Sequence, residues 1–269
     1  MKFPAIYFFL FLYSYSGLCQ TGFVLTRKDK KPIEFVNIGI IGKGVGTTTN
    51  KDGRYNLTIG DQYFNDSIRF SCIGYKSYTA KVSDFMNRND SIITLDEDLY
   101  TLKEVIVNPI IYKQKTLGYT SHSKTMVVEF EKSDLGYEVG ILLKIRKTAK
   151  LERLNLNLVK CSLDTIHLRI NFYKVSGIME FENILTTPIY LKISNKEIKD
   201  KVTIDLLPYD IKVKGDCLVT LECIKEMGDG DLSFSGNLNG KTYVRKTSQD
   251  SWQTIPFGVC YNVEAKVEK

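Results

Sequence analysis

The sequence is poor in the residues from which most catalytic and metal sites are built. Its 269 residues include only two histidines, His122 and His167, and one tryptophan, Trp252. The six cysteines form no C-x-x-C pair and no H-x-x-x-H occurs, so the ligand spacings of zinc sites are missing. A G-x-S-x-G nucleophile elbow is also missing. We therefore expect no metal, no cofactor and no enzyme activity, although a Ser-His-Asp arrangement built from distant residues stays open.

Clusters of charge and long apolar runs are missing as well. The formal net charge is +6, from 37 basic and 31 acidic residues that are interspersed along the chain. Nucleic-acid-binding proteins cluster their lysines and arginines, so we expect no nucleic-acid partner. After the first twenty residues no stretch approaches 18 uncharged apolar residues, and we expect no transmembrane helix.

The first nineteen residues have the three-part layout of a secretory signal peptide. A lysine at position 2 precedes the apolar stretch 5–13, and Gly17 and Cys19 occupy the small-residue positions before a cut at Gln20. Residues 1–19 are therefore predicted to be removed and the protein to be exported. A membrane anchor and a buried first strand are the alternatives. Acylation of Cys19 is disfavoured because Leu18 stands where a small residue is expected.

Cleavage at this point leaves five cysteines in a compartment that permits disulfides. They are Cys72, Cys161, Cys217, Cys223 and Cys260. An odd number leaves at least one thiol unpaired within the chain. Two of them, at positions 217 and 223, lie six residues apart on one predicted strand, too far to bridge each other. We favour buried thiols that pack as small apolar groups, and the pairing stays open.

Residues 32–55 carry the most specific local pattern. Val36, Ile38 and Ile40 alternate with polar or small residues, as in a strand with one buried face. Two turns follow, built from residue types that tolerate positive φ. With a later break at position 74, the turn residues are predicted to be Gly42, Gly44, Gly46, Asp52, Gly53 and Gly74. A phosphate-binding loop is excluded because position 47 is threonine and no helix pattern follows.

Four motifs in order resemble the carboxypeptidase regulatory-like domain family. They are PIEFVNI (32–38), GTTTNKDGRYNL (46–57), DSIRFSCIGY (66–75) and LKEVIV (102–107). The resemblance implies a seven-stranded, transthyretin-like Greek-key sandwich over residues 20–108, without catalytic residues. Domains of this family are common at the N-termini of exported and outer-membrane proteins of Gram-negative bacteria. The implied location is the periplasm, the outer-membrane surface or the extracellular space.

The rest of the chain is predicted to be a short linker, residues 109–115, and a second β-sandwich, residues 116–269. Short alternating segments separated by turn residues are typical of such a fold, and a jelly roll is one arrangement that fits. The predicted strands are 125–130, 138–145, 151–158, 165–173, 189–193, 201–206, 217–224, 232–234, 242–245 and 259–267. The whole protein is thus predicted to be all-β, and no family is assigned to this half.

Candidate chemistry in the second half is sparse. Trp252, with Tyr243 near it in sequence, is the candidate ligand-binding residue, because an exposed aromatic face on a sandwich can stack on a sugar ring; packing between the sheets is the alternative. His167 is expected at a solvated or rim position on the strand face opposite the apolar one. The carboxylates of Glu129, Glu131 and Glu138 are also expected in solvent, although paired carboxylates could hydrolyse glycosides. The acidic turn 228–231 could offer oxygens to Ca²⁺.

Three functions therefore compete. The first is an exported, non-enzymatic binding or structural protein of the cell envelope, with an unknown protein or glycan as its partner. The second is a carbohydrate-binding protein that uses Trp252. The third is a hydrolase on a sandwich scaffold.

Overall fold

The computed structural model describes residues 17–88, 90–98, 111–131, 134–194, 196 and 200–269. Most of the predicted signal peptide and the predicted strand at 102–107 lie outside these residues. The first described strand begins at Gly17, three residues before the predicted cut. No helix of the described part is long and apolar enough to cross a membrane.

The described part of the first domain forms two facing sheets, as expected for the predicted sandwich. Their strand orders are β4-β1-β7 and β3-β2-β5-β6. A short helical turn, α1, follows β6. The elements are β1 (Gly17–Thr26), β2 (Asn37–Ile40), β3 (Val45–Thr48), β4 (Arg54–Gly60), β5 (Ser67–Ser71), β6 (Tyr78–Lys81), α1 (Val82–Met86) and β7 (Ile92–Leu95).

Period-two alternation builds the core of this domain. On β4, Tyr55, Leu57 and Ile59 are buried, while the residues between them are exposed. The ring of Phe70 on β5 packs 6.0 Å from that of Tyr55 and 5.6 Å from that of Phe85 on α1. Burial of such aromatic side chains is the main source of stability in a domain of this size.

The second domain is also built from two large sheets, which confirms the two-sandwich prediction. One sheet has the order β13-β12-β17-β10-β19-β20, with β14 also paired to β12; the other has the order β21-β18-β11-β22-β8, with β15 and β16 paired to β11 and β9 to β18. The strands are β8 (Tyr112–Gly118), β9 (Val127–Glu129), β10 (Glu138–Leu143), β11 (Thr148–Cys161), β12 (Thr165–Gly177), β13 (Glu180–Asn183), β14 (Ile189–Ser194), β15 (Lys201–Asp205), β16 (Lys212–Lys214), β17 (Cys217–Cys223), β18 (Leu232–Asn237), β19 (Thr242–Arg245), β20 (Gln253–Ile255), β21 (Gly258–Val259) and β22 (Tyr261–Glu268).

The first strand of the second domain begins earlier than the predicted boundary at residue 116. Residues 112–118, of which 112–115 were predicted as linker, form β8 and pair along their whole length with β22. This strand was not predicted because four of its residues are lysine, glutamine or threonine. Such an edge strand shows no clear alternation of apolar and polar residues. The predicted linker residues 109 and 110 lie outside the described part of the chain.

Three of the five cysteines that were predicted to be buried thiols are buried, whereas Cys72 and Cys161 are partly exposed. All six are thiols, and Cys217, Cys223 and Cys260 are buried. Burial raises the pKa of Cys217 to about 12, because the interior disfavours the thiolate. These side chains therefore act as small apolar groups in the core of the second domain.

The second domain covers the outer face of the sheet β3-β2-β5-β6. All four residues of β2 are buried, and not only the alternate ones that face the core of the first domain. The predicted single buried face is therefore wrong for β2. The backbone NH of Gly42 donates to the carbonyl of Gln249 at 2.9 Å, and the hydroxyl of Thr48 donates to the carbonyl of Ile224 at 3.2 Å.

Two glycines allow this close approach. A β-carbon at Gly39 would lie 2.2 Å from the carbonyl oxygen of Ser248, and one at Gly46 would lie 2.4 Å from the same oxygen. Gly46 lies in β3 opposite Gly39. It was predicted as a turn residue, but its role is contact between the domains. Gly42, Gly44, Gly53 and Gly74 do have positive φ in turns, as predicted.

Gly39→Ala is expected to destabilise the protein by about 2 kcal/mol, since the new methyl group has to push backbone against backbone. Urea denaturation measures the free energy of unfolding, and hydrogen exchange at residues 247–250 reports on the domain contact. Gly177→Ala is the matched control, because its nearest non-neighbouring atom is the flexible carboxylate of Glu180. Equal losses for the two variants would contradict the proposed role of Gly39.

Candidate functional site

Four charged residues form one row across the sheet that contains β12. Arg169 on β12 lies opposite Glu222 on β17, and Glu222 lies opposite Glu138 on β10. Glu138 in turn lies opposite Arg245 on β19. Directly opposed residues share a face of the sheet, so the four side chains project to the same side. We call these four residues the charged row.

Each arginine of the charged row holds one carboxylate. Nε of Arg169 donates to Oε2 of Glu222 at 2.9 Å, and Nη2 of Arg245 donates to Oε2 of Glu138. Asn171, next but one to Arg169 on β12, bridges the acids: its Nδ2 lies 2.6 Å from Glu222 Oε2 and 3.0 Å from Glu138 Oε1. The row therefore neutralises its own charge through short, directed contacts.

The two acids are completely buried, contrary to the expectation that Glu138 is solvated. Glu138 also accepts hydrogen bonds from the hydroxyls of Tyr173, at 2.8 Å, and Thr220. These neighbours come from β12 and β17. Glu138 was missed because a strand-end acid in a sequence gives no sign of which strands will flank it.

The pKa values of the two acids shift in opposite directions. Burial raises the pKa of Glu138 above its ordinary value, although Arg245 opposes the change. Burial also acts to raise the pKa of Glu222, but the charge and hydrogen bond of Arg169 outweigh it, and the pKa falls below its ordinary value. Neighbouring carboxylates repel each other when ionised, so opposite shifts are the expected behaviour of such a pair.

The charged row joins the two domains. Nη1 of Arg169 donates to the carbonyl of Phe35 at 2.8 Å, and its Nη2 donates to Oδ1 of Asn37 at 2.7 Å. The ring of Phe35 makes edge contacts with Tyr190, at 5.4 Å, and with His167, at 6.1 Å. His167 therefore lies half-buried against the first domain.

A polar cleft of about 330 Å³ lies between the domains beside the charged row. Arg169 and Arg245 of the row line it together with side chains of both domains. Nε2 of Gln249 donates to the hydroxyl of Ser71 across the cleft at 2.8 Å. Opposite walls thus come from different domains, which is a common location for ligand sites. We call this the interdomain cleft.

An aromatic cluster adjoins the interdomain cleft. Phe181 lines the cleft and packs edge-on against Trp252, at 5.4 Å, and Tyr243, at 5.6 Å. The structure therefore brings the two predicted ligand-binding residues into one cluster. The guanidinium of Arg245 lies 4.9 Å above the ring of Trp252, and Tyr173 contacts the same ring at 5.8 Å. One face of the tryptophan is thus already covered by a cation.

The other sequence candidates lie apart from this cluster. Glu129 and His122 are exposed, and Asp231 of the acidic turn forms an ion pair with Lys160 at 2.5 Å. Within the described ranges no three His, Cys, Asp or Glu side chains are placed to hold a metal ion. The chemistry that the fold gathers is therefore that of hydrogen bonding and charge at the interdomain cleft.

A second, larger groove of about 820 Å³ runs along the other side of the domain interface. It is lined by the threonines at positions 47–49 and the turn residues 50–52 of the first domain, and by residues 224–226 of the second. The buried charges lie beside the smaller cleft. Because ligand sites combine a cavity with convergent polar groups of perturbed pKa, the interdomain cleft is the better candidate.

Arg169→Met is expected to lower the free energy of unfolding by about 3–5 kcal/mol, because it leaves Glu222 buried without its cation. The variant raises the pKa of Glu222 in the folded state above that of the unfolded chain. The deficit is therefore largest at neutral pH and shrinks as the pH falls towards the unfolded pKa of about 4.3. Guanidinium denaturation at several pH values measures it.

The double variant Arg169→Met/Glu222→Met separates charge from shape. Removing both partners leaves no uncompensated charge, so it is expected to recover much of the loss of the single variant. A double variant as unstable as the sum of the two single variants would show that the pair does not act as a unit.

Comparison with known proteins identifies the first domain. Residues 20–107 match the CarboxypepD_reg-like domain family, in agreement with the resemblance carried by the four motifs. The first sandwich is therefore a domain of this family. The match covers only the first part of the chain, and none of the curated proteins matches the chain.

Two solved structures that match the chain show very low similarity to it. The crystal structure of the infectious bursal disease virus VP2 subviral particle is 10% identical, with 93% of this chain and 63% of that chain covered and a TM-score of 0.18. The structure of the infectious bursal disease virus Gt strain is also 10% identical, with 94% and 67% covered and a TM-score of 0.16. The chain thus spans less than two thirds of the first of these proteins.

Proposed function

We propose that this chain is an exported, non-enzymatic binding protein of a Gram-negative cell envelope, in which a CarboxypepD_reg-like domain and a second sandwich together present the interdomain cleft to a ligand. The observation that carries the proposal is the cleft itself. It exists only while both domains are docked, and Arg169, which lines it, is also the residue that reaches across to the first domain.

The state of the titratable groups supports binding over catalysis. A general acid or base needs a carboxylate that can reach a substrate and exchange a proton with it. Glu138 and Glu222 are instead fully buried and each is paired with an arginine. The cleft offers a ligand amide groups such as Asn183 and Gln249, together with the exposed charged side chains of Arg69, Lys76 and Glu182.

The export part of the proposal rests on residues 1–19 and is tested in a Gram-negative host. The full-length chain is expected in the periplasmic or outer-membrane fraction, with a mature N-terminus at Gln20 by mass spectrometry. A variant with two lysines in the apolar stretch, Phe9→Lys/Leu10→Lys, is expected to stay in the cytoplasm with its N-terminus intact. Recovery of the wild-type chain from the cytoplasm, uncut, would refute the proposal of export.

Carbohydrate binding is the second candidate, and the aromatic cluster favours it. A sugar has apolar faces that pack on aromatic rings and hydroxyl groups that bond to amides, and Phe181 lies where the cleft meets Trp252 and Tyr243. The cleft thus combines an aromatic wall with amide side chains.

A glycan array probed with the mature protein tests this candidate. Trp252→Ala is expected to weaken binding of any glycan that the wild-type protein retains, by about tenfold, as loss of one stacking platform would. Tyr209→Ala is a control at an exposed aromatic residue outside the cluster. Glycan binding that survives Trp252→Ala unchanged would count against a role for the cluster, and release of shorter sugars would revive the hydrolase hypothesis.

A further inference from the structure

A groove on the second domain brings together basic residues that lie far apart in the sequence. It has a volume of about 340 Å³ and is formed where β8 and the end of β22 meet the turn between β10 and β11. We call it the basic groove. Its six cations are Lys113, Lys115, Lys144, Arg146, Lys147 and Lys269.

The basic groove accounts for almost all of the excess charge of the protein. Glu268 is the one acid among its described lining residues, so the side chains of the lining carry a net +5, compared with +6 for the whole chain. The sequence separates these residues into three segments more than twenty residues apart. Only the pairing of β8 with β22, and the position of the 144–147 turn beside them, brings them together.

Three of these cations have no partner in the described chain. Lys144 forms an ion pair with Asp216 at 2.7 Å, and the ammonium of Lys147 contacts the backbone oxygen of Lys269. The side chains of Lys113, Lys115 and Arg146 are exposed and make neither an ion pair nor a hydrogen bond with described residues. Like charges held this close repel each other, so an anion bound among them relieves a cost that the folded protein already carries.

An exposed apolar residue, Ile111, adjoins the basic groove through its backbone contact with Lys269. Ile111 is 66% exposed, and its carbonyl accepts a hydrogen bond from the backbone NH of Lys269 at 3.0 Å. The floor between the cations is apolar, with Ile145 and Val267. A basic surface next to an exposed aliphatic side chain is the chemistry of proteins that bind at the membrane interface.

From this arrangement we infer that the basic groove binds an anionic lipid surface, with the unpaired cations against the headgroups and Ile111 reaching the acyl boundary. The described residues that line the groove include no aromatic side chain, so a single-stranded nucleic acid would find no platform on which to stack. This site lies on the second domain alone, and the inference does not depend on what the interdomain cleft binds.

Vesicle sedimentation tests the inference with the full mature chain. Binding is expected to vesicles that contain about 30 mol% phosphatidylglycerol in phosphatidylcholine. It is expected to weaken as salt is raised and to be lost with phosphatidylcholine alone. Lys113→Glu/Lys115→Glu is expected to weaken partitioning by roughly thirtyfold or more, at about fivefold for each basic residue removed. Arg146→Glu/Lys147→Glu is a second variant on the opposite wall.

Matched controls separate the groove from net charge and from phosphate binding in general. Lys28→Glu/Lys124→Glu changes the net charge equally at exposed positions away from the groove and is expected to bind as the wild type does. Ile111→Ser is expected to weaken binding without changing its salt dependence. Equal losses for the groove and control pairs would overturn the inference, as would tighter binding of a DNA duplex than of anionic vesicles or competition by inorganic phosphate as effective as that by lipid.

Discussion

The arrangement of the two domains depends on the burial of the charged row, in which four charges are removed from water. Arg169, Glu222, Glu138 and Arg245 are opposed residue by residue across four adjacent strands, and their side chains are buried or nearly so. Burial of a single charge costs several kcal/mol, and the cost is offset only when each charge meets an opposite charge with good geometry. The register of β12, β17, β10 and β19 is therefore tied to these contacts, because a shift of one residue would send each side chain to the other face.

The same row explains why two small sandwiches behave as one unit in the structure. Arg169 holds Oε2 of Glu222 and directs its other donors to Phe35 and Asn37 of the first domain. The glycine pair on β2 and β3 lets the backbones come close enough for these bonds. An arginine that is satisfied only by both domains makes docking part of the energetics of the second domain, and the cleft beside it is a consequence of that docking.

Local sequence patterns predicted the strands and turns much better than they predicted which strands and side chains contact each other. The alternation at β2 and β4, the positive-φ glycines at positions 42, 44, 53 and 74, and most strands of the second domain follow from residues close in sequence. Strand β8 was not predicted because most of its residues are polar and exposed, so the sequence shows no alternation of apolar and polar residues there. The candidate site was only partly predicted: Trp252 and Tyr243 were identified and do lie together, whereas Glu138 was assigned to solvent. The residues next to Glu138 in sequence do not show whether its carboxylate will be exposed or will be buried against an arginine and neighbouring strands.

By itself, the sequence determined the all-β class, the family of the first domain and the positions of its turns, because these depend on period-two alternation, on residues that tolerate positive φ and on motifs within short windows. The tertiary structure alone decided which faces are buried, which charges meet and where the basic side chains collect. Strand pairing joins residues that are 30 to more than 100 positions apart, as with Glu138, Glu222 and Arg245. Burial and charge are properties of those long-range contacts, and the contacts exist only once the sheets have formed.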